Sequence, residues 1–205
     1  MTEAQAISAV FSAYDTGVRY FDTAPWYGRT RSERRLGLAL NNYDRSAFRL
    51  QTKVGRYLVP GQPNDRDSSG AEIINPAGGY PDGGHTTPGS PFGVTHDYSY
   101  DAIMEQHSHS LQRLGVSFVD SVVIHDLDLG YGTREQVEGY LSELESGGKA
   151  LAELRAAGTV KAFGAGCNMF SPEQQCDEYA RRIAEIVDLD FYLIAGAHYS
   201  KEGPV

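Results

Sequence analysis

The chain has 205 residues, 40% hydrophobic and 22% charged, an ordinary balance for one globular domain with a real core. A formal net charge of −9 argues against nucleic acid or an anionic membrane surface as partner. The chain lacks a run of about 18 apolar residues and a basic, apolar leader, and its two cysteines are too few for a disulfide framework, so a reducing cytoplasm is expected.

Residues 3–16 read as a helix with Ala, Ile, Val and Phe on one face, ended by Gly17. Val18 to Ala24 is the first strand. It ends in Asp22-Thr23-Ala24, and Pro25 turns the chain so that Tyr27 lies on the loop above Asp22. Residues 32–40 are a second helix with a Ser32 cap, and 49–54 is the next strand, carrying Lys53. From Gly55 to about Asp97 the chain reads as a long loop rich in Gly, Pro, Asn, Asp and Ser, placed to cover a substrate. Phe92, Tyr98 and Tyr100 suggest that its end packs down. His85 and His96 within it are expected in solvent.

Regularity returns with a helix from Ser99 to Leu114. His107 and His109 share it, one expected to pack and one to face water. Val119 to His125 is a strand. Residues 135–157 form a long helix with a possible break at Gly147-Gly148. Val160 to Gly166 is a strand followed by Cys167-Asn168. Ser171-Pro172-Glu173 marks a helix start running to about Val187, and Phe191 to Gly196 is the last strand. Arg34-Arg35 and Arg181-Arg182 read as solvated helix faces.

Strands and helices alternate, and the strands are near-continuous apolar runs, as in a parallel sheet buried on both faces. On five strands, a doubly wound sheet and an eight-stranded barrel both remain open. The strand carboxyl ends carry Asp22 with Tyr27, Lys53, His125 and Cys167-Asn168. In a barrel those ends converge on one mouth. A lysine ammonium would lower the tyrosine pKa, Asp22 would hold the lysine, and His125 would hydrogen-bond the reacting oxygen. That set is an acid/base for a carbonyl or hydroxyl group. A metal reading of His125, Asp126 and Asp128, as in a sugar isomerase, lacks a second His or Glu cluster. Cys167 reads as a small buried side chain, since no base pattern accompanies it.

The segments F-D-T-A-P-W-Y-G, S-E-R-R-L-G, Q-T-K-V-G, S-L-Q-R-L-G-V, V-V-I-H-D and V-K-A-F-G-A-G-C-N together resemble the aldo-keto reductases. The nearest resemblance is to the group that contains aldose 1-dehydrogenases and L-galactose dehydrogenase, from about Gly17 to Tyr199. The resemblance implies an α/β fold, a partial (β/α)8 TIM barrel with about five of eight parallel strands and a long Gly/Pro-rich insertion. The family's first strand and its last two βα units, which grip the cofactor phosphates, are expected to be missing. The resemblance implies NADP or NAD as cofactor and a small sugar or carbonyl as substrate. It implies Tyr27 as proton carrier with Lys53, Asp22 and His125. Asn168, beside Cys167 where the family has Ser, would hold the nicotinamide carboxamide near Asp22, and Trp26 with His125 would line the substrate pocket. No metal is expected. The implied reaction is oxidation of an aldose at C1 to the lactone, or carbonyl reduction. The rival expectation is a truncated, catalytically silent chain acting at most as a binding partner.

Overall fold

A computed structural model describes residues 2–60, 92–168 and 175–195, with the side chains of Asn168 and Ala195 excepted. Most of the long Gly/Pro-rich segment, His85 and the helix start at Ser171-Pro172 lie outside the described residues, as does Gly196.

The chain opens with α1 (Glu3–Asp15), whose first turn is closed by a reciprocal capping box between Thr2 and Gln5. There follow β1 (Tyr20–Asp22), α2 (Arg31–Leu40), a 3₁₀ turn at Arg45–Ala47 and β2 (Arg49–Val54). Next come β3 (Arg56–Pro60), β4 (Phe92–His96), α3 (Tyr100–Leu114) and β5 (Val119–Ile124). The chain continues with α4 (Arg134–Ala156), β6 (Val160–Asn168), α5 (Cys176–Ile186) and β7 (Phe191–Ala195). The long helix α4 runs without a break. Gly147 is needed there for a different reason: a Cβ at this position would stand 2.0 Å from the carbonyl oxygen of Tyr98, so only glycine lets α4 press against the start of α3.

The five strands β1-β2-β5-β6-β7 form one parallel sheet in sequence order. A doubly wound sheet reverses its strand order at a switch point. No reversal occurs here, and the helices pack in a row, each against the next. The architecture is therefore a curled half-barrel with its two edges at β1 and β7. One face carries Phe21, Leu50, Val54, Val122, Ile124, Phe163 and Ala165 into the core beneath the helices.

The opposite face is polar near β1, β2 and β5. Tyr20 donates to Gln51 Oε1 at 2.6 Å, and Ser121 donates to the same oxygen at 2.9 Å. Those two bonds orient the Gln51 amide so that its nitrogen donates to Asp22 Oδ1 at 2.6 Å. The outer side of the sheet is tied to the helices by Glu33. Its buried carboxylate accepts from Thr52 Oγ1 at 2.7 Å and from Arg113 Nε at 2.5 Å.

Three sequence expectations need correction. The segment after Gly55 does not remain loop at its ends: β3 and β4 pair antiparallel as a ribbon, with Arg56 opposite His96. Their strand pattern is short, and the partners lie far apart in sequence. His96 is buried rather than solvated, its ring roughly parallel to those of Tyr98 and Tyr140 beside it, and burial holds it neutral by pushing its pKa well below the usual histidine range. Helix α2 begins at Arg31 behind Thr30, whose side chain makes no cap bond, and Ser32 instead accepts a hydrogen bond from Thr23. Of the helical pair, His107 packs and His109 is exposed, as the spacing suggests. Arg34 and Arg181 face solvent, whereas Arg35 and Arg182 are partly covered, paired with Glu3 and Glu138.

Candidate active site

The strand ends of β1, β2 and β5 meet at one mouth. Lys53, near the end of β2, is 3% exposed at its side chain, and burial pulls its pKa down against the opposing pull of Asp22. Its Nζ donates to both oxygens of Asp22 at 2.7 Å and to the carbonyl of Thr23 at 2.9 Å. All three N–H donors of the ammonium thereby find acceptors at the end of β1.

Tyr27 is carried by a tight run of turns after β1. Tyr27 N–H returns to Ala24 O, Arg29 N–H to Trp26 O and Thr30 N–H to Pro25 O. Gly28, Arg29 and Thr30 all take positive φ, of 60°, 47° and 80°. For a β-branched Thr that is a strained conformation, of the kind that clusters at functional sites. The Tyr27 ring receives the Lys53 ammonium on its face, 4.7 Å from the centroid, and meets the His125 ring edge-on at 5.8 Å.

The expected lowering of the Tyr27 pKa by Lys53 is not what the geometry gives. The ammonium is neutralised by Asp22 and lies over the ring face. Burial and the carboxylates of Asp22 and Asp126 push the phenol above its ordinary value, and the guanidinium of Arg56 opposes them. Its surroundings favour the protonated phenol.

His125 follows β5 and is buried. Its backbone N–H donates to Val54 O at 2.9 Å, and its carbonyl accepts from Tyr98 Oη at 2.6 Å. Tyr98 reaches that position because Gly55, at φ 96°, leaves room: a Cβ there would fall 1.9 Å from the Tyr98 ring. Trp26 lies 6.3 Å from the His125 ring.

Arg56, which the sequence reading left out, and Asp126, which it weighed only as a metal ligand, complete the mouth. Arg56, the first residue of β3, lies 3.3 Å over the Trp26 ring and 4.9 Å over the Tyr131 ring. It forms an ion pair with Asp126 at 2.7 Å, and Asp126 in turn lies 3.4 Å from His125 Nε2. The signal in the sequence is adjacency: Arg56 stands three residues after Lys53, behind the glycine that ends the strand. Asp126 and Asp128 were weighed only as metal ligands. Among the described residues no group of three or more His, Cys, Asp or Glu side chains is placed to hold a metal ion.

On the far side of the mouth Cys167 is buried at the end of β6, and its thiol lies 3.5 Å from the Cys176 carbonyl. Cys176 donates its thiol to Asp128 at 3.4 Å, and burial pushes the Asp128 carboxyl up to about 6. Asn168 is the last residue of β6, in register with Ala195 of β7.

The structure thus brings Asp22, Tyr27, Lys53, His125 and Trp26 together. It places Cys167 and Asn168 at the end of the strand next to the one that leads to His125. The family model for the aldo/keto reductases matches residues 1–176. The chain belongs to the aldo/keto reductase family. It is 35% identical over 201 residues to pyridoxal 4-dehydrogenase of Microbacterium luteolum, covering 97% of this chain and 54% of that protein. It is 32% identical over 209 residues to D-threo-aldose 1-dehydrogenase of a Pseudomonas species, covering 100% and 54%. The chain spans about half the length of these curated relatives. A solved aldo-keto reductase from Bacillus halodurans, in its holo form, superimposes with a TM-score of 0.62 at 20% identity, covering 94% of this chain and 49% of that one. That likeness supports the half-barrel fold alone.

Proposed function

We propose that this aldo/keto reductase chain carries the acid–base site of an NAD(P)-dependent oxidoreductase, oxidising an aldose at C1 to the lactone or, in reverse, reducing a carbonyl. The observation that carries the reading is the Lys53–Asp22 pair beneath the Tyr27 ring, with His125 edge-on to the same ring. The sugar is suggested by the D-threo-aldose 1-dehydrogenase relative, and pyridoxal 4-dehydrogenase widens the candidates to aromatic aldehydes and their alcohols.

The donor set fits a nicotinamide. Its polar groups, Tyr27, Lys53, Asp22 and His125, can manage a proton but none can accept a hydride. When bound, NAD(P) supplies the hydride acceptor or donor. Asn168 and Cys167 are the residues proposed to hold its carboxamide.

The chain's own residues handle the proton. In oxidation Tyr27 takes the proton of the C1 hydroxyl. In reduction it returns a proton to the carbonyl oxygen, the role its raised pKa favours. His125 hydrogen-bonds the same oxygen and fixes its position between the two rings. Lys53 holds the Tyr27 ring from below, and Asp22, oriented by Gln51, holds Lys53. Trp26 excludes water from the apolar side of the substrate.

Fluorescence titration of the full chain with NADH and NADPH, followed by turnover with a panel of aldoses and aldehydes, tests the proposal. Cofactor binding with turnover of a sugar supports it. Cofactor binding without turnover of any panel member supports the rival reading, a catalytically silent chain that acts as a binding partner.

A further inference from the structure

Arg56 makes three contacts that no part of the proton chemistry above requires. One face of its guanidinium lies 3.3 Å from the Trp26 ring, and Tyr131 is 4.9 Å away. Its NH1 nitrogen bonds Asp126 Oδ2 at 2.7 Å. The same Oδ2 stands 3.4 Å from His125 Nε2. Arg56, Asp126 and His125 are each no more than 5% exposed at the side chain. A buried pair of this kind is costly to build unless both ions are well satisfied. Asp126 also takes φ 53°, a left-handed conformation that turns its carboxylate back to meet Arg56 and its own neighbour. An arginine cannot lose its proton in a protein, so its partner carboxylate stays ionised beside the imidazole.

We infer that Arg56, acting through Asp126, is a positioning residue that fixes the orientation and charge of His125 and the pitch of Trp26. The two walls of the proposed pocket then move as one unit, because one guanidinium grips both. The fixed carboxylate favours the protonated imidazole, which is the better donor to a substrate oxygen that gains negative charge. The consequence for turnover rests on the oxidoreductase reading; the coupling itself does not.

Titratable groups come to the mouth from each element around His125, among them Tyr98, from the turn before α3, which donates to the His125 carbonyl. Tyr27 and Asp22 come from the end of β1, Lys53 from β2 and Arg56 from β3. Asp126 and Asp128 come from the segment after β5, Cys167 from β6 and Cys176 from α5. Arg56 and His125 both reach Asp126 directly.

The test needs neither cofactor nor turnover. Trp26 is the one tryptophan of the chain, and a protonated imidazole at 6.3 Å quenches indole emission. Emission of the full chain is followed against pH. The wild type is expected to show one transition, and His125→Gln to abolish it, which assigns it. Asp126→Asn, nearly isosteric, is expected to lower the midpoint by about 1 pH unit or more. Arg56→Lys keeps the charge but loses the planar stack. It is expected to hold the midpoint near that of the wild type while shifting the Trp26 emission maximum. Far-UV circular dichroism confirms that each variant folds. An unchanged midpoint in Asp126→Asn, an unchanged emission maximum in Arg56→Lys, or a wild type without the transition overturns the inference. Failure of the oxidoreductase reading appears instead as absent cofactor binding and leaves these shifts in place.

Discussion

Lys53 bridges both carboxylate oxygens of Asp22 at 2.7 Å, yet the two partners live in different surroundings: the lysine side chain is 3% exposed and the aspartate 33%. The pair is therefore asymmetric. Asp22→Asn leaves a buried ammonium without its counter-charge and is expected to cost about 3–5 kcal/mol. Lys53→Met leaves a carboxylate that water can reach and Gln51 still contacts, and is expected to cost less. Urea unfolding of both variants checks the order. Equal losses would show that Asp22 is as dependent on the pair as Lys53.

The Tyr27 phenol, raised by burial, Asp22 and Asp126, is expected to give the two proposed reaction directions different pH profiles. Oxidation needs the phenolate, so its kcat is expected to climb as pH rises through the alkaline range. Reduction needs the phenol and is expected to stay level over the same range. Asp126→Asn removes one of the charges that raise the phenol and is expected to move the oxidation profile toward lower pH. Steady-state rates in both directions across pH decide this. A flat oxidation profile would remove Tyr27 from the proton transfer.

Gly55 makes the space into which Tyr98 fits beneath His125. Gly55→Ala adds a Cβ 1.9 Å from that ring, in a backbone conformation that only glycine adopts cheaply. It is expected to destabilise the chain by about 2 kcal/mol or more and to loosen His125. Tyr98→Phe keeps the ring and removes only the 2.6 Å bond to the His125 carbonyl. It is expected to cost about 1–3 kcal/mol, since a buried carbonyl is left under-satisfied. Thermal unfolding separates the two; indifference to Gly55→Ala would mean that Tyr98 can move without consequence.

His107 is buried on α3 and, among the described residues, has no hydrogen-bond partner at either ring nitrogen; burial lowers its pKa to about 4. The unfolded chain takes up this proton near 6.5 and the folded chain only near 4. Between those values the unfolded state binds more protons, so stability rises with pH there and the full benefit is present above 6.5. Acidification through this window is expected to cost up to about 3 kcal/mol from this residue. Asp128, raised from 3.8 to about 6, acts in the opposite sense between those two values, where the folded state binds more protons and stability falls as pH rises. The measurement is the difference between wild type and His107→Gln in unfolding free energy across pH. A parallel pair of curves would contradict the assignment.

The strands that bear the site were readable because each is a short apolar run closed by a polar residue. Arg49–Val54 and the helices α3 and α4 fall within a residue or so of where their periodicity puts them. The meeting of Asp22, Tyr27, Lys53 and His125 was legible for the same reason: in a barrel, the carboxyl ends of parallel strands converge on one mouth. Arg56 and the β3–β4 ribbon were not. The ribbon's two strands are separated by more than thirty residues of turn-forming composition, so no local signal pairs them. The sequence also placed Lys53 beside Tyr27 without showing how deeply the phenol is buried or that Asp126 lies near it, and burial with the carboxylates of Asp22 and Asp126 sets the upward direction of its pKa shift. The buried His96 was hidden because a histidine inside a Gly/Pro-rich stretch carries no pattern of its own.

The central claim, that Tyr27 is the proton carrier of an NAD(P)-dependent reaction on this mouth, is tested most directly by Tyr27→Phe. Wild type and variant are assayed side by side for NADH and NADPH formation with the aldose panel, at cofactor concentrations that saturate the wild type. The account predicts turnover by the wild type and a loss of about 10²–10⁴-fold in kcat for the variant, with sugar KM little changed. A variant that keeps near-wild-type kcat would contradict it.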